Sequence, residues 1–418
     1  MSRKEFNIAI LVWSHPFSAV EGPALLIANG MAELGWSAKI INISEKNKDQ
    51  LVDSINILLT TEFDMILSIT AIPLSLQIGE KYLSEYIKKP IAVLLVDSPI
   101  YLRDIDFKVI NSLPDNSLIL FVDAYQAHLF RNAFVNVDKK SLKTDFFPFG
   151  ATRFSESITK PQNFYIDHKE REFDICVFAT LDQQHNINFS SFDDYSGAFN
   201  IPELNRFFSK LPVLKELLSE LINNDYGVNI YDLLNNNLGV RVLFSDPDAI
   251  ELLQLFDSFL KRYRRFNLIK ALIESCRVQS TKISIFGSGW NYFDEIPATC
   301  TLFGPSAYLD QFNLFGNSRF LLNLDPNWSH GIHDRVFNGM SVGTPSLTNN
   351  NCYSNMYLKH NFDSLLFDSK KCAVELFDQI TSPSFNLIHN LEYSLESNNF
   401  YWANRLSVIE KYINSVSS

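Results

Sequence analysis

The sequence predicts an α/β protein of two doubly wound domains, each built on a parallel β-sheet. Short, continuous apolar runs alternate with helical stretches, which is typical of strands buried on both faces of a parallel sheet. This rhythm breaks once, at a polar segment over residues 151–172 that suits a linker. The chain has 418 residues, which is enough for two domains. We therefore expect two sheets whose carboxyl ends face a central cleft, where such folds bind ligands.

The first domain is predicted to cover residues 1–155. Its five predicted strands are residues 8–13, 38–43, 65–69, 91–96 and 118–122. A helix is predicted over 23–34, because Pro23 suits a first helical turn and Gly35 a helix end. A second helix is predicted over 49–60. Strands that alternate with helices imply right-handed crossovers and one parallel sheet.

The second domain is predicted to cover residues 172–399. Its predicted strands are residues 173–178, 282–286, 318–324 and 344–348, with a short helix over 336–341 before the last of them. A mostly helical region at 203–278 is predicted to be an insertion, and the sequence assigns it no role. A C-terminal helix is predicted over 391–416. Its end, at about 400–418, is expected to pack back on the first domain.

Charge and composition exclude several classes of protein. The net charge of -11 argues against a nucleic-acid-binding surface, because such surfaces are usually basic. The five cysteines are widely spaced, so we expect reduced thiols rather than a disulfide framework or a zinc cluster. No stretch approaches 18 uninterrupted apolar residues, so no transmembrane span is predicted. We expect a cytoplasmic protein, for which peripheral contact with a membrane stays open.

The most informative segment is residues 323–348, where a predicted strand enters a polar loop and then a short helix. The loop holds His330 and His333, and Arg335 stands near the start of the helix. Helix N-termini offer free N–H groups and the positive end of a dipole, which suits a phosphate. A guanidinium can add bidentate contacts to a diphosphate, so we assign that role to Arg335. Thr348 ends the next strand and is a candidate contact to a sugar or nucleotide.

This segment resembles the nucleotide-sugar-binding motif of GT-B glycosyltransferases, which have two Rossmann-like domains. It is most similar to the bacterial spore-maturation-protein-like group, with its glycosyltransferase family 1 type of C-terminal domain. The residues that carry the resemblance are Arg335, Phe337, Asn338, Met340, Gly343 and Pro345. The two-domain rhythm, the Gly287–Gly289 loop and the C-terminal helix extend it loosely over most of the chain. The resemblance implies glycosyl transfer from a nucleotide sugar, above all a UDP-sugar, without a cofactor or a metal.

The chain departs from this motif at two positions. Many retaining members carry two glutamates eight positions apart, the second of which contacts the donor ribose. Aligned on the Gly343–Pro345 turn, these positions hold His330 and Asn338. Asn338 can hydrogen-bond a ribose hydroxyl without a charge, and His330 is a candidate contact to the donor phosphate or the transferred sugar. The departure leaves open whether the transfer retains or inverts the anomeric configuration.

Candidate catalytic residues lie in the first domain. His15 follows the first strand, on the loop that is expected to face the cleft, and suits a general base toward an acceptor hydroxyl. Glu21 is the competing carboxylate. Asp123 ends the fifth strand and is predicted to cap a helix.

Two further features have a structural and a functional interpretation. Gly287 and Gly289 either allow close backbone approach to the donor or form a plain turn at a strand end. The basic run Lys261–Arg265 is predicted to be a solvated helix face, with an anionic acceptor or membrane surface as the alternative partner.

The predicted partners are a nucleotide-sugar donor and a saccharide, lipid-linked or protein acceptor, with no nucleic acid. Two other functions stay open. One is a catalytically degenerate protein of the same fold that binds a nucleotide sugar without turnover, or serves as a scaffold. The other is a different two-domain enzyme, such as a nucleotide-sugar epimerase or a dinucleotide-dependent oxidoreductase. No Gly-x-Gly-x-x-Gly follows Val12 or Phe286, which argues against a dinucleotide site.

Overall fold

The structure is a computed structural model. It describes residues 5–14, 17, 19–44, 47–133, 142–155, 167–181, 202–223, 230–231, 247–279, 281–290, 296–324, 328–358, 366–368, 370–381, 395–396 and 399–417. The candidate base His15 lies outside the described residues, as do residues 156–166 of the predicted linker.

The chain folds into two compact units. Unit 1 comprises Met1–Lys160, Ala307–Leu309 and Leu395–Ser418, and unit 2 comprises Pro161–Ser306 and Asp310–Ser394. Unit 1 therefore combines the N-terminal part of the chain with its C-terminal helices.

Unit 1 is built on a six-stranded parallel sheet of order β2-β1-β3-β6-β7-β8. Its strands are β1 (Asn7–Val12), β2 (Ser37–Asn42), β3 (Met65–Ile69), β6 (Ile91–Leu95), β7 (Leu118–Phe121) and β8 (Lys143–Phe146). A small antiparallel pair, β4 (Gln77–Ile78) and β5 (Lys81–Tyr82), lies apart from this sheet. The five predicted strands are confirmed. The sixth strand, β8, was not predicted, because it is a half-exposed edge strand without a continuous apolar run.

Five helices of at least four residues are described in the N-terminal part of unit 1. They are α1 (Glu21–Glu33), α2 (Lys48–Thr60), α3 (Leu83–Tyr86), α4 (Asp104–Ser112) and α5 (Ala124–Ala133). The predicted cap at Asp123 is confirmed, since its Oδ1 accepts hydrogen bonds from the backbone N–H groups of Tyr125 and Gln126 at 2.8 and 3.2 Å. The first helix begins at Glu21, two residues before the predicted start at Pro23.

The C-terminal segment packs against the N-terminal part of unit 1 through α13 (Trp402–Arg405) and α14 (Ser407–Ser417). A Cβ added at Gly30 would lie 2.6 Å from Trp402 Cβ, and one added at Gly150 would lie 2.9 Å from the indole. The helix predicted over 391–416 is interrupted at the described residues 399–401, and its predicted start at 391 lies outside the described residues. Tyr401 is extended there and forms a parallel bridge with Ala151 before the helix begins.

Unit 2 is built on a second six-stranded parallel sheet, of order β11-β10-β9-β12-β13-β14. Its strands are β9 (Phe173–Phe178), β10 (Ile283–Phe286), β11 (Cys300–Phe303), β12 (Ser318–Asn323), β13 (Ser346–Asn349) and β14 (Leu366–Phe367). The four predicted strands are confirmed, although β13 begins two residues later than predicted, because Thr344 and Pro345 belong to the preceding turn. Neither β11 nor β14 was predicted; β14 has only two residues, and β11 is partly exposed.

The described helices of unit 2 are α6 (Pro202–Lys210), α7 (Val213–Asn223), α8 (Pro247–Gln279), α9 (Gln311–Gly316), α10 (Asp334–Ser341), α11 (Cys352–Tyr357) and α12 (Lys370–Thr381). The predicted helical region at 203–278 is confirmed where the structure describes it, and α8 packs against α6, α7 and α12. The helix of the predicted motif, α10, starts at Asp334 rather than at 336.

Two parallel-sheet, Rossmann-like units with flanking helices confirm the predicted fold class. All five cysteines are free thiols, three of them buried. None of the described helices combines the length and the apolar character that crossing a bilayer requires.

Candidate functional site

The strand order of unit 2 reverses between β9 and β12. After β9 the chain adds β10 and β11 on one side, and it then returns to add β12, β13 and β14 on the other. Ligands of open α/β sheets bind outside the carboxyl ends of the strands at such a switch point. The predicted motif directly follows β12, so it lies at the edge of the sheet where this argument places a ligand.

Asn351 holds the loop between β12 and α10 in place by hydrogen bonds. Its side-chain amide donates hydrogen bonds to the carbonyls of Trp328 and Gly331 at 2.9 and 3.0 Å. Its Oδ1 accepts from the backbone N–H of Ser354 at 2.8 Å and so caps α11. His330 is half-buried on this loop, with Nδ1 3.0 Å from the adjacent Ser329 hydroxyl. The cap of α11 therefore fixes the loop that carries the histidines.

His333 is the N-cap residue of α10. Its ring stacks on the Trp328 ring at a centroid distance of 5.5 Å and an interplanar angle of 18°. Nδ1 also contacts the buried carboxylate of Asp334, the first residue of the helix. The positive end of this helix already faces a carboxylate of the chain itself, which weakens its attraction for a phosphate. Anion binding here depends on a cationic side chain.

Arg335 supplies such a cation at the carboxyl end of β9. Its guanidinium donates from Nη1 to the carbonyl of Phe178, the last residue of β9. Nε and Nη2 lie 3.2 and 3.0 Å from the two ring nitrogens of His333. Among the described residues no carboxylate forms an ion pair with Arg335, which is half-buried. A bound anion would therefore gain a charge-assisted contact without displacing a carboxylate.

Arg265 is a second cation at this edge, and it was not among the predicted site residues. It lies on α8, and its Nη1 is 3.5 Å from the carbonyl of Thr180. Arg265 and Arg335 line the same small cavity of about 10 Å³, together with Phe178 and Leu324. A cavity of this size has room for about one water molecule. Two guanidiniums thus converge at the switch point between β9 and β12.

The prediction that Lys261–Arg265 forms a solvated face is wrong. Arg262 and Arg264 are only 6% and 1% exposed, and Arg265 is half-buried. The run lies inside a helix whose apolar residues continue on both sides of it, from Phe256 to Ile273. These apolar residues on both sides of the basic run were the sign in the sequence that the run belongs to a packed helix.

Gly287 and Gly289 are explained by the backbone of the chain itself. Their φ angles are 135° and 87°, in the region that favours glycine. A Cβ at Gly287 would overlap the carbonyl oxygen of Ala179, and one at Gly289 that of Leu181. The two glycines let the segment after β10 run beside the segment after β9. Their close approach to a donor stays a prediction.

Asn338 and Thr348 lie in the interior of unit 2. Both side chains are 1% exposed, Asn338 on α10 and Thr348 on β13. The hydroxyl of Thr348 accepts a hydrogen bond from Asn323 Nδ2 at 2.8 Å, which joins the ends of β12 and β13. Donor contact by either residue stays a prediction.

Arg171 fastens the turn that follows α10. Its Nη1 donates to the carbonyl of Ser318 at 2.9 Å and to the hydroxyl of Thr344 at 2.7 Å, and Nη2 donates to the carbonyl of Val342 at 3.2 Å. Burial lowers the pKa of Arg171. Arg171 was not predicted, because a single arginine in a polar segment forms no recognisable sequence pattern.

In unit 1, Glu21 is the first residue of α1 and is half-buried. The roles of His15 and Glu21 stay predictions. Across the described ranges, no three or more His, Cys, Asp or Glu side chains are grouped so that they could hold a metal ion.

No protein-family model and no curated protein matches the chain. Solved structures match it over nearly the whole length. A glycosyltransferase from Rickettsia africae ESF-5 is 10% identical, with 100% of both chains covered and a TM-score of 0.50. Anabaena HepE in complex with UDP and glucose is also 10% identical, with 99% of this chain and 100% of that chain covered and a TM-score of 0.49.

The likeness to the Rickettsia structure shows that the chain has the fold of a glycosyltransferase. It agrees with the two parallel-sheet units described above. The specific similarity to the spore-maturation-protein-like group stays a prediction.

Proposed function

We propose that this chain is a glycosyltransferase that takes a sugar from a nucleotide donor, a UDP-sugar, without a metal or a cofactor. The observation that carries the proposal is the half-buried guanidinium of Arg335, which has no ion pair with a described carboxylate, at the switch point of unit 2. Arg265 lines the same cavity and doubles the positive charge there. The fold supports the same class of reaction.

Glycosyl transfer needs positive charge beside the diphosphate of the donor. The bond between the anomeric carbon and the diphosphate oxygen breaks, a bond from that carbon to an acceptor oxygen forms, and the nucleoside diphosphate leaves with its electron pair. Guanidiniums aimed at the diphosphate stabilise the charge that develops on it in the transition state. Arg335 and Arg265 are the proposed partners of the two phosphates.

His333 is proposed to act as a positioning residue. Its ring stacks on the Trp328 ring and contacts the guanidinium of Arg335 through both ring nitrogens, so it fixes the direction of that guanidinium. His330, on the same fastened loop, is the proposed contact to the donor phosphate or the transferred sugar. A base must remove the acceptor proton if the transfer inverts, and His15 is proposed for this step, with Glu21 as the competing carboxylate.

The proposal is tested by thermal unfolding with UDP, GDP, CMP, dTDP, ADP and NAD. UDP at 100 times its dissociation constant should add about 2.7 kcal/mol of stability to the full chain. Arg335→Ala should abolish the shift. Arg206→Ala is the matched control, because it removes an exposed guanidinium paired with Glu251 elsewhere in unit 2. Hydrolysis or transfer of UDP-glucose, assayed with and without EDTA, tests catalysis and metal independence.

Each outcome has a defined meaning. The absence of a shift with every nucleoside diphosphate overturns the proposal. Stabilisation by NAD alone points to a dinucleotide-dependent enzyme instead. Nucleotide binding without hydrolysis or transfer indicates a degenerate member of the fold.

A further inference from the structure

A three-residue segment, 307–309, belongs to unit 1, although the residues on both sides of it belong to unit 2. In the chain it lies between β11 and α9. Its middle residue, Tyr308, is buried, and the proposed function assigns it no role. The contacts of Tyr308 within unit 1 are with the segment that leads from β1 into α1.

The side chain of Tyr308 packs on the first turn of α1. A Cβ added at Gly22, the second residue of this helix, would lie 2.2 Å from Tyr308 Cδ1 and 2.6 Å from Cγ. A larger residue than glycine would therefore displace the ring. Val20, the N-cap residue of α1, makes no side-chain capping hydrogen bond, so the start of the helix lacks this polar anchor. The ring of Tyr308 holds it by packing instead.

Tyr308 also contacts the loop before α1 through its backbone. Its N–H donates to the carbonyl of Phe17 at 2.8 Å. Phe17 has a φ of 61°, in the left-handed region that favours glycine. Its side chain is 52% exposed, so burial of the ring does little to hold this conformation. Strained backbone of this kind persists where surrounding contacts fix it, and the hydrogen bond from Tyr308 is such a contact.

The two contacts hold one short stretch of chain at two points. Phe17 follows the candidate base His15 by two residues. Gly22 directly follows Glu21, the competing carboxylate. A general base has to be held within hydrogen-bond reach of the hydroxyl that it deprotonates, and small displacements of it slow the reaction strongly. Contacts that fix the backbone next to each candidate therefore serve whichever of the two is the base.

We infer that Tyr308 is a positioning residue for the loop between β1 and α1. Its N–H fixes the backbone at Phe17, its ring fixes the backbone at Gly22, and together they place the base that the loop carries. The inference rests on the proposed function, because a base is needed only where an acceptor hydroxyl is deprotonated.

Two substitutions break the packing from opposite sides. Tyr308→Gly removes the ring and keeps the N–H that bonds to Phe17. Gly22→Ala adds the Cβ that the ring excludes, and it keeps the test decisive if Tyr308→Gly fails to fold. Tyr308→Phe is the conservative variant, because it keeps the ring. Tyr86→Gly, which removes an exposed ring at the end of α3, is the matched control.

The readout is histidine-selective NMR on the full chain, with the His15 signal assigned from His15→Gln. We expect Tyr308→Gly and Gly22→Ala each to shift the His15 signal. Each should also speed hydrogen exchange about tenfold at Ala24, whose N–H closes the first turn of α1. Tyr308→Phe and Tyr86→Gly should leave both readouts unchanged. In the double variant Gly22→Ala should add no further change, because the three atoms nearest to its Cβ all belong to the Tyr308 side chain.

Kinetics on the same samples link the loop to the reaction. Turnover of UDP-glucose should fall about tenfold in Tyr308→Gly and in Gly22→Ala, while UDP affinity stays the same, because a misplaced base affects the chemical step. A loss of UDP affinity as large as the loss of turnover overturns the inference.

The NMR outcomes separate this inference from the proposed function. A His15 signal that stays unchanged in both single variants overturns the inference. Equal changes at all eight histidines also overturn it, because they report a loss of the whole fold rather than of this loop. The absence of nucleotide binding in the wild type overturns the proposed function, whereas a His15 signal that still depends on Tyr308 then supports the positioning of the loop.

Discussion

The buried guanidinium of Arg171 donates a hydrogen bond of 2.7 Å to the hydroxyl of Thr344. This bond holds the turn that follows α10, the helix of the candidate donor site. The same side chain reaches the carbonyls of Ser318 and Val342. One arginine therefore joins the start of β12 to the end of α10.

Arg171→Met should destabilise the protein by about 2–4 kcal/mol, because it leaves buried acceptors without their donor. Urea denaturation measures the loss. Arg206→Met, at an exposed ion pair, should cost less than about 1 kcal/mol. Equal costs in the two variants would contradict a structural role for Arg171.

Gly287→Ala should destabilise by about 2 kcal/mol or more, since the added Cβ meets the Ala179 carbonyl and φ is 135°. Gly304→Ala is the control, because no atom lies within 4 Å of its added Cβ. It should change the free energy of unfolding by about 0.5 kcal/mol or less. Chemical denaturation of both variants compares them, and a neutral Gly287→Ala would mean that the two strand ends do not run this close.

Arg265→Ala should weaken UDP binding about tenfold and UMP binding less, if the guanidinium meets the second phosphate. Calorimetry with both nucleotides measures the difference, and Arg206→Ala controls for the lost charge. Equal losses for UDP and UMP, or no loss, would show that Arg265 does not contact that phosphate.

His168 should make the protein less stable as the pH falls. Its Nε2 donates to the carbonyl of Arg319 at 2.6 Å, and burial lowers its pKa to about 4. The unfolded ring, with a pKa near 6.5, takes up a proton first, so stability declines as the pH falls below about 6.5. Because the ring is partly exposed, we expect a loss on the order of 1 kcal/mol at pH 5.

Urea midpoints at pH 7 and pH 5 measure this effect in wild type and in His168→Gln. The variant carries no titrating ring and should show a smaller difference between the two midpoints. An unchanged difference would assign the pH dependence to other groups.

The interior strands could be predicted well from the sequence, because a strand that is buried on both faces consists of consecutive apolar residues. β1, β3, β6 and β7 are buried almost throughout, and each is a continuous apolar run. β8 and β11 have exposed residues, and β14 is only two residues long, so no such run marks them.

The candidate site was predicted only in part. Arg335 stood out because it lies in a recognisable motif, whereas Arg265 comes from a helix 70 residues earlier in the chain. Arg171 was missed because its partners are backbone carbonyls and a hydroxyl, which impose no spacing on the sequence. Gly287 and Gly289 were noticed, but their backbone neighbours become visible only once β9 and β10 are paired.

The close packing of Trp402 on Gly30 and Gly150 has a consequence for folding during synthesis on the ribosome. The ribosome first synthesises all the strands of the unit 1 sheet and then unit 2. Trp402, whose indole packs on Gly150, is synthesised about 250 residues after Gly150. At a synthesis rate of about 5–20 residues per second, Trp402 emerges roughly 10–50 s after the sheet on which it packs. Nascent chains that stop before residue 402 should therefore be cleaved by protease in unit 1 more readily than chains that extend past 417.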